Sequence, residues 1–369
     1  MTKNRYPFVL CIVLLAGLMG TWAAQGVQAQ ASTGIVRVAP SGSNAAGCGS
    51  ASNPCQTLQF AVEQLISGSG ASRAINGEVR IAAGTYTEGN PAFENIIGIG
   101  LPGNLTIRGG YTTSNWNSSS PTNATILDGQ GSRRGILITV PEAQAAGCAM
   151  RVENLSITNG RSSAAEPSGG GILINNCSGV TVSNVSVRNS IAAGQNNTGN
   201  IGLSPGTGGG IAVRGTTNVR AGLTLQNVTL ANNQALGGDE GNFARGGLGS
   251  GGGLYGINAA VVANGLTVSN NSASAGDAPA GSGEDGVQRA DGLGGGIGLI
   301  QSTFSIANAT IGQNHAQGGN AAGKGGLGLG GGLFIEISSG TLQDVTVSSN
   351  SAQGANGNEA GPGLGGGVF

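Results

Sequence analysis

Charge is scarce in this chain: Asp, Glu, Lys and Arg make up 9% of its 369 residues, and aromatic residues only 4%. It carries a single histidine, His315. The few charges nearly cancel, 16 basic against 17 acidic, and no basic patch stands out. Nucleic acid is therefore not an expected partner, because its binding rests on clustered Lys and Arg. Long apolar runs are missing beyond the first twenty residues, so no membrane span is expected in the mature chain. CxxC pairs are also missing, and His315 lies far from every cysteine. Tetrahedral zinc then has no ligand set, and neither a metal nor a cofactor is expected.

The N-terminus sets the compartment. Lys3 and Arg5 precede an apolar run from Phe8 to Met19, followed by small and polar residues up to Ala31. Val27-Gln28-Ala29 and Ala29-Gln30-Ala31 both fit a small-residue cleavage pattern. Residues 1–31 thus read as a signal peptide, which makes the mature protein secreted or held at the cell surface. Cys11 sits inside the apolar run behind Leu10, which does not fit a lipid-attachment cysteine. Cleavage removes Lys3 and Arg5 and shifts the net charge from −1 to −3. Cys48, Cys55, Cys148 and Cys177 remain, an even count that suggests disulfides in an exported chain. Four cysteines allow three pairings. Cys48 and Cys55 flank a short Gly/Ser/Asn loop and are natural mates.

What the chain has in abundance is glycine, 73 residues, set among short alternating aliphatic runs. Disorder would bring few aliphatics and high charge, so a repetitive β-structure is the better reading. Gly-Gly-Gly followed by an aliphatic residue recurs six times, at Ile172, Ile211, Leu254, Ile297, Leu333 and Val368. A second string follows each of the first five: Val185-Ser-Val187, Val228-Thr-Leu230, Leu266-Thr-Val268, Ala309-Thr-Ile311 and Val345-Thr-Val347. Alternating pairs such as Val180/Val182, Leu223/Leu225 and Phe304/Ile306 precede it. Each string has the period of two expected of a strand with one buried face. The second strings begin 43, 38, 43 and 36 residues apart. The pattern predicts an all-β, right-handed parallel β-helix with three short strands per coil, because a lone coil cannot bury its own apolar face and must stack. A β-propeller would need four longer strands per unit.

Polar residues recur in the same frame. Asn154, Asn184, Asn227, Asn308 and Asp344 stand just before the second strings, and Ser190, Asn233, Asn271, Asn314 and Asn350 at the following turn. Asn tolerates left-handed backbone, so both sets are expected to stack as structural ladders along the axis. The variable parts, such as 237–250 and 276–293, are Gly-rich loops expected to emerge from one side in register. They hold Asp239, Glu240, Asp277, Glu284, Asp285, Asp291 and Glu359. Such a loop face is where a partner, a surface glycan or another protein, would bind. Aligning 150–157 with 180–187 gives an offset of one coil and sets Cys148 beside Cys177. A second disulfide, Cys148 to Cys177, is expected there, with two buried free thiols as the alternative.

Residues 32–90 read as an N-terminal cap and 91–369 as the solenoid. Asn53 with Pro54 fits a helix start. Leu58, Ala61, Val62, Leu65 and Ile66 then make an apolar face at helical spacing, giving a lid over the first coil. The chain stops at Gly367-Val368-Phe369, inside the first strand of a new coil, so its C-terminal end reads as incomplete.

The runs Val38-Ala-Pro40-Ser-Gly42, 53–62 and Ala83-Gly84-Thr85-Tyr86 resemble the start of pectin-lyase-like β-helix proteins. Leu105 to Tyr111, Ile126 to Gly129 and the Gly-Gly-Gly units resemble bacterial polymorphic outer-membrane and adhesin-type repeats. The resemblance covers nearly the whole mature chain. It implies the β-helix fold, but that group contains lyases, hydrolases and non-enzymatic adhesins.

No catalytic set emerges from the residues. Glycosidases need two carboxyl groups at a defined separation. Beyond residue 146 the acids outside the loops are Glu153, Glu166, Glu336 and Asp344. Lys324 is the only lysine left after cleavage. His315 reads as a solvated turn residue, and Asp128 as closing a turn. Glu284, Asp285 and Asp291 are the one candidate calcium cluster, without an RTX nonapeptide around it. Tyr111 and Trp116 could stack on a sugar or cover the core. The expected function is a surface scaffold or adhesin-like protein without enzymatic activity. The alternative is a polysaccharide lyase or glycoside hydrolase.

Overall fold

Strict alternation in the second strings points every other side chain the same way. The long strands Gly179–Arg188, Ala221–Ala231, Ala259–Ser269, Thr303–Gly312 and Ser339–Ser348 lie side by side and parallel. The structure, a computed structural model, describes residues 34–87, 95–163, 167–196, 204–239, 246–278 and 290–369. The expected signal peptide with Cys11, and Glu166, Glu240, Glu284 and Asp285, lie outside those residues.

The chain winds as a right-handed parallel β-helix, one repeat per coil. The aliphatics behind the Gly triplets form one inward row: Ile172 pairs with Ile211, Ile211 with Leu254, Leu254 with Ile297, Ile297 with Leu333, and Leu333 with Val368. Ile136 extends the row backwards. One continuous core runs from Val36 to Leu333. The cap and the regular coils therefore share one interior.

Each coil differs in detail from the expected three strands. Its two alternating pairs belong to a single long strand, bent at Asn184, Asn227, Gly265, Asn308 or Asp344, whose φ values lie between 49° and 71°. A two- or three-residue strand follows, as at Ile191–Ala193. Another precedes each Gly triplet, as at Gly206–Thr207. The strand after the triplet, such as Ile211–Arg214, completes a four-sheet coil. The corners explain the composition. At successive bends the backbone is left-handed, which costs most L-residues ~1–2 kcal/mol each and suits Gly and Asn. The first Gly of every triplet holds φ near +60°, from Gly169 at 61° to Gly365 at 63°.

At the N-terminus, Ile35–Val38 pairs with Ala74–Ala82, and the helix Leu58–Glu63 buries Leu58, Ala61 and Val62 against the first coil. Gln59 accepts a hydrogen bond from the Gly98 N–H at 2.8 Å, tying the lid to Asn95–Ile99. The helix starts later than Asn53-Pro54 suggested. Cys55 is held as an extended bridge to Val38, with its N–H donating to Arg37 O, so residues 53–55 are taken up by pairing. Thr57 becomes the N-cap, and Asn44 Oδ1 accepts the N–H groups of Gln56 and Thr57 from outside the helix. Leu65 remains buried beyond the helix end, while Ile66 enters a short antiparallel strand against Ile75.

Both disulfides are formed, Cys48–Cys55 and Cys148–Cys177, with Cα atoms 5.0 and 5.2 Å apart. The second staples the start of the strand Cys148–Thr158 to the next coil and is buried in the core. It closes a 29-residue separation, so replacing both cysteines by serine is expected to cost about 3–4 kcal/mol by the chain-entropy model. Denaturant titration of the double variant measures this loss. Mass spectrometry of the non-reduced protein should find the Cys148–Cys177 peptide pair, and alkylation of both thiols without reduction would contradict it.

Candidate functional site

The outward positions of the long sheet divide into two zones. In the first coils the inward residues are Val79, Ile81, Ile107 and Val152, all buried. The alternate positions are charged. Arg80 lies beside Arg108, and Arg108 beside Glu153, while Glu78, Thr106 and Arg151 form the neighbouring row. Glu78 binds Arg80 at 3.1 Å and Arg108 at 2.8 Å, and Glu153 binds Arg108 at 2.7 Å. Tyr111 donates its hydroxyl to Glu78 Oε1 at 3.2 Å, and Arg80 lies 5.4 Å from the centre of the Tyr111 ring. Arg80 also donates to the Trp116 carbonyl at 2.5 Å. Burial alone would lower the Arg108 pKa, but its hydrogen bonds to Tyr111 and Glu153 and the charges of Glu153 and Glu78 outweigh it and raise the pKa. A guanidinium held this firmly protonated binds and orients; it does not move protons.

From Gly179 onward the face changes character. Ser186, Thr229, Thr267, Thr310 and Thr346 form one row of hydroxyls, coil upon coil. Thr181, Thr224, Ser305 and Thr341 form another, interrupted by the exposed Val262. Between the rows run the amides at the bend. Asn184 Nδ2 donates to Asn154 Oδ1 at 3.1 Å and Asn227 Nδ2 to Asn184 Oδ1 at 3.3 Å. The next coil places Gly265 at the bend, and Asn308 Nδ2 donates instead to Asn264 Oδ1 at 2.8 Å. Asp344 adopts the same left-handed geometry, φ 53°, in the last coil.

The turn residues make a second, buried ladder. Asn233, Asn271 and Asn314 are almost wholly inaccessible. Each donates its Nδ2 to a carbonyl of the preceding coil, Val187, Leu230 and Val268 respectively, at 3.0 Å. Each Oδ1 accepts the backbone N–H of the residue one coil earlier, Ser190, Asn233 and Asn271, at 2.9–3.0 Å.

The loop face is packed backbone to backbone. Its described arms interleave: Gly247 N–H donates to Gly238 O, Gly276 N–H to Gly247 O, Gly326 N–H to Gly319 O, and Ala355 N–H to Gly326 O. Glycine is required there because a Cβ on Gly276 or Gly319 would meet a backbone oxygen at 2.0–2.1 Å. Asn196, Asp239, Asp277, Asn320 and Asn356 stack along this layer, each of the first four side chains accepting the backbone N–H of the next coil's residue at 2.7–3.1 Å. The Asp239 and Asp277 carboxylates are thus committed to the stack. Asp291 likewise accepts the N–H of Leu327 at 2.8 Å. Among the described residues no three His, Cys, Asp or Glu side chains converge as a metal-binding group.

The remaining candidates are placed as follows. His315 opens a short strand, His315–Gln317, and contacts Ser351 Oγ at 2.7 Å and Gln317 Oε1 at 3.1 Å, so it is a strand residue and not a turn residue. Asp128 accepts from the Gln130 N–H and from Asn159 Nδ2. Tyr111 and Trp116 are buried with Ala39 and Ala82 and present no ring face to a ligand. Lys324 pairs with Glu359 at 3.2 Å. No helix among the described residues is long and apolar enough to cross a membrane.

No family model matches the chain, and no curated protein does. Among solved structures the chain is similar to a rhamnogalacturonan lyase, at 12% sequence identity and a TM-score of 0.38, over 82% of this chain and 72% of that one. A likeness so distant carries no argument about activity or substrate.

Proposed function

We propose that this protein is an exported scaffold, secreted or carried on the cell surface, and that it has no depolymerase activity. Residues 1–31 are its signal peptide, 32–90 its cap and 91–369 its load of stacked coils. The observation that carries this reading is the commitment of polar side chains among the described residues: the buried corner amides, the Asp239, Asp277 and Asp291 carboxylates and the Glu78–Arg108–Glu153 network are bound to neighbouring coils. Such groups stiffen a rod. A glycosidase or lyase instead needs a carboxylate or base facing substrate with its proton free to move. Two disulfides suit an oxidising compartment. A partner, glycan or protein, would meet the Gly-rich edge or the Ser/Thr face of the long sheet.

The alternative, a carbohydrate-active enzyme, would place its chemistry on the outward charged zone of the first coils. Incubation with pectate and calcium, and with polygalacturonate, separates the two. The scaffold reading expects neither unsaturated products nor new reducing ends; either one, lost on Arg108→Gln, would establish the enzyme.

A further inference from the structure

The charged zone of the first coils gathers three guanidinium groups around two carboxylates, and two of the three are closely paired. Arg80 and Arg108 sit within 3.1 Å of Glu78 or Glu153. Arg151 does not share in this pairing. Its nearest carboxylate oxygen, on Glu153, is 3.8 Å away, and its side chain is 61% exposed. Arg151 stands at the rim of an open hollow lined by Asn76, Gly77, Asn104, Leu105, Thr106 and Ala149. Asn76 Oδ1 accepts the Asn104 N–H at 3.0 Å, which fixes one wall.

We infer that this hollow is a binding site for a carboxylate-bearing small molecule. The network is one anion short, and its unbalanced positive charge lies at the hollow. The Arg151 guanidinium has its fork of donors largely unused, and a planar carboxylate fits that fork through two parallel hydrogen bonds. The Thr106 hydroxyl and the Asn104 side-chain amide sit on the same wall and supply further donors. Arg108, held protonated by its partners, adds a fixed positive field from the adjacent strand position. The inference does not depend on the scaffold reading, since a rod can carry such a site with no chemistry performed in it.

The test uses the mature protein at constant ionic strength, titrated with acetate, inorganic phosphate and chloride while the arginine guanidinium signals are followed by NMR. Acetate should shift the Arg151 signal saturably, and chloride should not. Arg151→Gln should weaken acetate binding at least tenfold, and Arg151→Lys should restore it only in part. Arg188→Gln, an exposed arginine farther along the same sheet, should bind as the parent does. Equal response to chloride, unchanged acetate binding in Arg151→Gln, or phosphate preferred tenfold over acetate would each overturn the assignment.

Discussion

Replacing Asn271 by alanine should destabilise the protein by about 2–5 kcal/mol, the sum of two or more orphaned buried groups at about 1–3 kcal/mol each. The side chain spans three coils. Its Oδ1 takes the Asn233 N–H at 2.9 Å, its Nδ2 gives to Leu230 O at 3.0 Å, and its own N–H is taken by Asn314 Oδ1 at 3.0 Å. Alanine keeps the last bond and loses the other two, together with the amide-to-amide bonds from Asn233 Nδ2 and to Asn314 Oδ1, and the site is 1% exposed, so water does not replace them. Asn271→Asp should be at least as damaging, because it removes the donor and buries a charge. Asn184→Ala, in the exposed ladder at the bend, should cost less, since its orphaned partners face solvent. Its penalty is mainly the left-handed backbone at φ 51°, ~1–2 kcal/mol. Denaturant midpoints of the three variants check the order; equal losses at 271 and 184 would contradict the separate roles of the two ladders.

Much of this ladder is legible in the sequence because it repeats with the strands. Asn at a fixed offset from an alternating apolar string already specifies a corner. What the sequence hides is how one coil differs from the next. Asn264-Gly265 reads as a break in the bend ladder; in the structure the glycine takes the left-handed position and the amide moves one residue back. Glu78, Arg80, Arg108, Arg151 and Glu153 were harder to see. They fall in the irregular first coils, on neighbouring strands whose paired positions are 28 to 45 residues apart along the chain, and only register brings them together. The signal was present as charged residues at alternate positions between Val79, Ile81, Ile107 and Val152, but without a repeat to align them it names no partners. Outward apolar residues were also invisible. Leu173, Ala212 and Tyr255 point away from the main core and form a second buried cluster on the sheet after the triplets. Burial raises the Tyr255 pKa, with Arg214 opposing and Glu336 adding to the shift. How tightly the Gly-rich loops pack was not legible, because glycine is common both in loose linkers and in close-packed backbone. Only the interleaved N–H bonds separate the two cases.

Glycine in the close-packed role gives the second large expected effect. Gly252→Ala should destabilise by about 3 kcal/mol or more, at or above the upper end of ordinary overpacking. A Cβ there would sit 2.4 Å from both Gly295 O and Ser272 O, backbone atoms of the next coil and of the same coil. Neither can swing aside as a flexible side chain would, so the coils must separate locally. Gly100→Ala is the matched control, for its added Cβ meets nothing within 4 Å. It should be neutral or slightly stabilising, by at most about 1 kcal/mol, through reduced freedom of the unfolded chain. Thermal or denaturant unfolding of the pair reads out the difference, and a neutral Gly252→Ala would mean that the stacked backbone is looser than described.

The solenoid is built with one repeat per coil, which makes Thr229, Thr267 and Thr310 successive neighbours on the outer face. Paired cysteine substitutions measure this register directly. Adjacent strands are ~4.8 Å apart, inside the Cα separation that a disulfide tolerates, and alternate strands are ~9.6 Å apart, outside it. Thr229→Cys with Thr267→Cys, and Thr267→Cys with Thr310→Cys, should each cross-link on mild oxidation of the folded protein, whereas Thr229→Cys with Thr310→Cys should not. Cross-linking of the 229/310 pair within one chain, or failure of both adjacent pairs, would contradict the stacked coil.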